Sequence, residues 1–235
     1  MKYSWVFLLL SVLLPVTSFA QQTKPVNPPF HTDGLWIGAI AGPSWMVEKA
    51  PDSLIPEIQN YYNKLRSGWH IGFESEYFIN NFLGFGAKYI RFTTRQEEDS
   101  IVIEFFSNKY YFDISNEMSI HTLSPMVFGK LPLGNNLNIT GGLGPAWLFY
   151  RNLGKAIGDT VMFKGSSPGI SSSLRLSYEL IPNLTIGVQT SYIQAILREY
   201  TQDNGSSQQQ VTLKEEDYQN ISRLDFSFGI FYVFR

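Results

Sequence analysis

A stripe of apolar residues at every second position, opposed by a face with charges in mid-segment, leaves this 235-residue chain few possible folds. In residues 67–80, Trp69, Ile71, Phe73, Tyr77 and Ile79 share one face; His70, Gly72, Glu74 and Glu76 share the other. Residues 82–92 set Leu83, Phe85, Ala87 and Tyr89 against Gly84, Gly86 and Lys88. Residues 172–180 set Leu174, Leu176, Tyr178 and Leu180 against Ser173, Arg175, Ser177 and Glu179. Residues 184–194 and 221–235 repeat the pattern, the last with Leu224, Phe226, Phe228, Ile230, Tyr232 and Phe234 opposing Asp225, Ser227 and Gly229. A repeat of two is strand periodicity. Three further strands are less regular. Residues 35–42 alternate apolar residues with glycine, without settled faces; Pro125 predicts an irregularity in 116–130, because it has no N–H for a ladder; and 137–150 groups Leu137, Ile139, Leu143 and Trp147. The reading is about eight strands of roughly 9–15 residues, the length a tilted membrane strand needs. It contains no useful helical period after residue 33 and no later apolar run fit for a transmembrane helix.

The connections narrow the choice. Asn80-Asn81, residues 132–136 and Pro182-Asn183 read as short turns. Between them lie long polar segments, at about residues 47–66, 93–111, 151–167 and 200–220. Long and short alternate strictly, as in an up-and-down membrane barrel with long loops at one end and short turns at the other. Hairpin parity fixes the registers. Pairing Ile79 with Leu83 opposes Glu74 to Lys88; pairing Leu180 with Leu184 opposes Arg175 to Gln189.

Mid-strand charges decide which face points inward. Glu74, Glu76, Lys88, Arg175, Glu179 and Asp225 can satisfy one another inside a small barrel, whereas lipid offers them nothing. Trp69, Tyr89, Trp147, Tyr178 and Tyr192 near the ends of the apolar face suit interfacial girdles. An eight-stranded lumen is just wide enough to be filled by side chains, so the expectation is a closed interior in which inner glycines make room for the charged residues.

The N-terminus supplies an address. Lys2, the apolar run from Trp5 to Val16 and the small-x-small Ser18-Phe19-Ala20 predict a signal peptide over 1–20. Residues 21–33 contain three prolines and read as a periplasmic linker; the barrel occupies 34–235. With 16% charged and 15% aromatic residues the chain is not of the disordered class. Its 18 Lys and Arg against 20 Asp and Glu leave no basic excess for a nucleic-acid partner. The absence of cysteine excludes disulfides, thiol catalysis and a lipoprotein anchor.

These features lead to a resemblance. Ser124-Pro125-Met126-Val127-Phe128-Gly129-Lys130, the turn Leu131-Pro132-Leu133-Gly134-Asn135-Asn136-Leu137, and Gly142-Leu143-Gly144-Pro145 resemble the small outer-membrane β-barrel proteins of Bacteroidetes-type bacteria, the PorT-like group, and more distantly OmpX and OmpA barrels. The resemblance covers about residues 34–235. It implies an all-β, eight-stranded antiparallel up-and-down transmembrane barrel with four long outer loops and three short periplasmic turns, in the outer membrane of a Gram-negative bacterium. It carries over no catalytic residues. It also implies that the last strand, with Tyr232 and Phe234, serves as a signal to the barrel-assembly machinery.

Candidate chemistry is sparse. Ser119, His121 and an acid could form a lipid hydrolase or acyltransferase site, and His70 lies on the long-loop side of its strand near Glu74. A hydrogen-bonded strand histidine is the simpler reading. Glu97-Glu98-Asp99 and Glu215-Glu216-Asp217 read as solvated acidic runs, and no metal or cofactor is expected. Tyr61, Tyr62, Phe105, Phe106, Tyr110 and Tyr111 are the expected loop contacts for a protein or glycan partner. The expected function is that of a monomeric, non-enzymatic barrel surrounded by outer-membrane lipid. The alternatives are a membrane lipid hydrolase or acyltransferase, and a soluble secreted ligand-binding β-barrel.

Overall fold

A computed structural model describes residues 34–48, 56–105, 108–134, 136–156 and 159–234. The expected signal peptide 1–20, the expected linker 21–33, Phe106 and Arg235 lie outside the described residues, as do the side chains of Phe105, Tyr110 and Tyr111. Seven long strands follow in chain order: β1 (Gly34–Met46), β2 (Ser67–Phe78), β3 (Leu83–Phe105), β4 (Asn108–Pro132), β5 (Leu137–Ala156), β6 (Asp159–Ile181) and β7 (Leu184–Leu197). Three short strands come next, β8 (Glu199–Asp203), β9 (Gln208–Thr212) and β10 (Gln219–Asn220), and then β11 (Arg223–Phe234). One helix, α1 (Pro56–Leu65), lies between β1 and β2.

Every sequential pair from β1 to β7 is antiparallel, β11 pairs with β7, and β1 pairs with β11, so eight long strands close a ring with no free edge. The stagger follows from one ladder. From Leu35 it passes through Tyr77, Phe85, Val127, Leu143, Ser172, Tyr192 and Leu224 and returns to β1 at Trp45, ten residues above its start. Such a stagger tilts the strands around the ring axis.

The faces are those the alternation requires. Phe73 is 57% exposed on the outside, while its neighbour Glu74 is 2% exposed on the inside. Leu83, Phe85, Leu174, Leu176, Phe228 and Ile230 also point outward. The irregular strands resolve as well. Trp36 and Ile40 point inward on β1, and Met118, Ile120, Met126 and Phe128 inward on β4. Pro125 interrupts the β4–β5 ladder between Leu123 and Val127 without changing the register. Leu176→Arg is therefore expected to cost about 2–4 kcal/mol in a bilayer, and Ser177→Arg clearly less, since the second side chain enters a polar lumen. Equilibrium unfolding of the two variants in lipid vesicles measures the difference, and equal losses would contradict the inside-out assignment.

Four expectations change. Residues 93–111 and 151–167 are mostly strand: β3 to β6 run 20–25 residues, well beyond the length expected. At about 3.3 Å per residue, β4 alone carries about 80 Å of strand, so the β3–β4 and β5–β6 hairpins project far past an apolar layer about 30 Å thick. The segment 47–66 contains α1, and 200–220 contains β8 to β10 and a short 3-10 turn at Glu215–Asp217. Leu180 does not pair with Leu184. Ile181 does, leaving a bulge at Leu180 and a two-residue Pro182-Asn183 turn, with Asn183 at φ 73°. The Arg175–Gln189 and Glu74–Lys88 pairs stand as expected. Finally, several inner glycines make room for aromatic rings or for a neighbouring backbone and not for charges. A Cβ on Gly38 or Gly229 would strike Phe231, one on Gly84 Phe78, and one on Gly142 Phe128, while one on Gly72 or Gly86 would strike a backbone carbonyl; Gly187 lies against Arg175.

Candidate functional site: a charged lumen beneath an outer cavity

The lumen holds two polar clusters. The one toward the short turns is a four-residue ionic group from three strands. Lys88 Nζ lies 2.9 Å from Glu74 Oε1, and Arg175 Nη1 lies 3.0 Å from Glu74 Oε2. Arg175 also donates both terminal nitrogens to Glu76, at 2.5 and 2.6 Å. Gln189 donates to Glu74 at 2.6 Å and Lys88 to Ser191 at 2.7 Å. The Arg175 guanidinium lies 4.0 Å from the Phe231 ring centroid, and Lys130 sits 3.8 Å from that of Phe78. All these charged groups are buried, so the bidentate arginine and its partners must satisfy one another.

The second cluster lies nearer the long hairpins. Arg223 Nε donates to Asp225 at 2.7 Å, and its guanidinium is 5.1 Å from the Phe92 centroid. His70 bridges two hydroxyls, with Nδ1 2.7 Å from Ser44 Oγ and Nε2 2.7 Å from Ser227 Oγ. The predicted network is thus divided. Glu74, Glu76, Lys88 and Arg175 meet, whereas Asp225 belongs with Arg223. Glu179 is half-buried at the end of β6, where its carboxylate accepts from the Asn183 N–H at 3.3 Å.

Above the second cluster is a cavity of about 850 Å³, walled by α1 on one side and by β4, β5 and β6 on others. Tyr61, Leu65, Met118, Tyr150, Phe163 and Tyr200 supply its apolar surface, and Asn116, Asn152 and Asn220 bring polar groups to it. Tyr61, expected as an exposed loop contact, is 3% exposed and donates its hydroxyl to Gln96 O at 3.4 Å. Burial, the neighbouring Tyr62 and the charges of Glu98 and Glu97 push its pKa up to about 12. Tyr62 keeps a more exposed ring, edge-on to Tyr61. At the rim Arg66 donates to Glu48 O at 2.6 Å and faces the Glu48 carboxylate at 4.0 Å. Burial pushes Glu48 up and Arg66 down, and their mutual attraction opposes both shifts. Sequence reasoning missed α1, Arg223 and Lys130. The last two sit on the inner face by the same parity that places Asp225 and Phe128 there.

Ser119 and His121 face outward, where His121 Nδ1 lies 2.7 Å from the Tyr89 hydroxyl. Their face separates them from His70 and from every lumen acid named above. Among the described residues no cluster of three metal-ligating side chains forms.

No family model and no curated protein matches this chain. Solved structures do. A major outer membrane protein from Thermus thermophilus is similar at TM-score 0.57 and 17% identity, over 87% of this chain and 100% of that one. Ail, the attachment invasion locus protein of Yersinia pestis, is similar at 0.48 and 14%, over 86% and 99%. The outer membrane protein OprG from Pseudomonas aeruginosa is similar at 0.48 and 13%, over 87% and 98%. At these identities the likeness speaks to fold. The chain has the fold of the small outer-membrane β-barrels.

Proposed function

We propose that this protein is a non-enzymatic outer-membrane barrel of a Gram-negative bacterium that conducts nothing through its axis and acts through its outer mouth. The observation carrying this reading is the inverted polarity of the ring: an apolar outer band around a lumen filled by Glu74, Glu76, Lys88 and Arg175. Lipid offers charges no partners, and water has no reason to face a continuous apolar belt. The signal segment and the fold shared with outer-membrane barrels support the location. What remains for contact with other molecules is the projecting pair of hairpins, α1 and the cavity between them, open to a protein or glycan partner.

The test combines fractionation with conductance. The protein is expected in the outer-membrane fraction, with a gel mobility that changes on boiling. In planar bilayers it is expected to give no steady ion conductance. Recovery from the soluble periplasm, or a stable conducting state, would overturn the proposal.

A further inference from the structure

The outer cavity presents aromatic rings and amides together. Its rings include two edge-to-face pairs on different elements: Tyr61 and Tyr62 on α1, 5.9 Å apart between centroids, and Phe163 on β6 with Tyr200 on β8, 5.5 Å apart. Its side-chain amides come from three strands: Asn116 on β4, Asn152 on β5, and Gln219 and Asn220 on β10. Asn116 stands opposite Gly154 in the β4–β5 ladder, and a Cβ on that glycine would lie 3.0 Å from Asn116 Oδ1. The missing side chain leaves space beside the amide. Two residues along β5, Asn152 Oδ1 is buried without a donor among the described residues, so the protein leaves this wall incompletely satisfied. At about 850 Å³ the cavity lies within the usual range for small-ligand sites, about 300–1,000 Å³.

Three features narrow the ligand. The lining charges cancel, Arg66 and Lys155 against Glu48 and Asp159, so nothing there favours an ion of either sign. A wholly apolar molecule would strip water from the amides and return no hydrogen bond. Toward the lumen the lining is Leu65, Met118 and Ile221, each buried, with the Arg223–Asp225 pair below, so a long molecule enters only by an end. A free peptide end brings a charged ammonium or carboxylate, for which the lining holds no unmatched counter-charge. The end of a neutral sugar chain brings no charge. Its pyranose ring has a C–H face that packs on aromatic rings, and a rim of hydroxyls that both donate to and accept from amides.

We propose that the outer cavity binds the terminal sugars of a neutral glycan. The pyranose C–H faces pack against the aromatic pairs, and the hydroxyls bond to the amides of Asn116 and Asn152. This rests on the reading above, in which the mouth is the working end of the barrel, and commits that mouth to one class of ligand.

The test uses the full-length protein in phosphatidylcholine nanodiscs, which carry no sugar headgroups, and saturation-transfer NMR with maltose, lactose, mannobiose and chitobiose. At least one of these is expected to bind, with the strongest transfer at C–H protons of its terminal ring and the same affinity at low and high salt. Asn116→Leu keeps a similar volume but loses the amide, and is expected to weaken that sugar by about tenfold. Gly154→Val projects a side chain into the cavity and is expected to weaken it at least as much. Both variants should keep the heat-dependent gel mobility of the wild type, which separates lost binding from lost folding; the wild-type panel decides the proposal even if a variant misassembles. Binding of none of the sugars, binding that falls as salt rises, or undiminished affinity in both variants would overturn the site. Octanol bound in preference to every sugar would assign the cavity to an apolar ligand. Displacement of the sugar by an equal concentration of an acetylated, amidated tripeptide would assign it to a protein partner. Either result overturns the glycan claim. A barrel that inserts and conducts no ions yet binds no sugar defeats this inference alone. One that fails to insert, or that conducts, defeats the reading of the mouth on which it rests.

Discussion

Lys88→Met is expected to destabilise the folded ring by about 3–5 kcal/mol, the range for removing one partner of a buried ion pair. Lys88, Arg175, Glu74 and Glu76 form a neutral group of two cations and two carboxylates, each buried. Without Lys88, Glu74 keeps the Gln189 amide and an Arg175 guanidinium that it shares with Glu76, and Ser191 loses the Lys88 ammonium as a donor. Methionine fills the space without supplying the charge. Adding Glu74→Gln should recover part of the loss, because the amide oxygen still accepts from Arg175 and no uncompensated carboxylate remains. Urea unfolding in lipid vesicles, run as a double-mutant cycle, measures the coupling. Additive losses would mean that the two side chains do not interact in the folded protein.

The contacts of this cluster are only partly legible in the sequence. Glu74 opposite Lys88 follows from parity and a short turn, because both residues belong to one hairpin. Glu74 against Arg175 does not, since β2 and β6 are not neighbours and meet across the lumen. That contact depends on the stagger of the whole ring, which only the complete set of registers defines. Asp225 shows the converse. Its partner Arg223 lies two residues away on the same face, as simple alternation allows, but stands where the apolar stripe of the last strand begins and so escapes notice.

The long hairpins are hidden from a sequence reading for a physical reason. Alternation marks a strand only where one face meets an apolar medium. Thr93, Arg95 and Glu97 continue the outward face of β3, and Arg151 and Lys155 that of β5, so the stripe fades although the ladder continues. The same logic hides α1. Its ten residues mix Ile58, Tyr61 and Leu65 with Asn, Gln and Lys, a stretch too short for a period to stand out. Its inward side, Tyr61 and Leu65, nevertheless closes one wall of the outer cavity. The band in contact with lipid is readable, because there the solvent itself imposes the pattern. The mouth, wet on both faces, is not.

Deleting residues Tyr232 to Arg235 is expected to abolish assembly of the ring, the largest effect foreseen for any change here. Phe234, Val233 and Tyr232 pair with Leu35, Trp36 and Ile37, and the Val233 N–H donates to Asn183 O at 2.8 Å. The deletion removes these pairs from both neighbours at once, since Tyr232 also opposes Leu184 on β7. The first rungs of β1 and the first residues of β7 then present open backbone groups within the apolar layer, each costing several kcal/mol with no water to receive it. The deletion also removes Val233, buried beside Phe231 at the base of the lumen. Several such penalties together exceed the roughly 5–15 kcal/mol that holds an ordinary domain folded. Losing Tyr232 and Phe234 would also remove the strand end that the family resemblance casts as a signal to the assembly machinery. Arg235→Ala, which spares every one of these pairs, should be tolerated. Surface labelling at a cysteine introduced within residues 203–207, with immunoblotting for proteolysis, separates the outcomes. A truncated chain that is labelled like the wild type would show that β11 does not close the ring against β1.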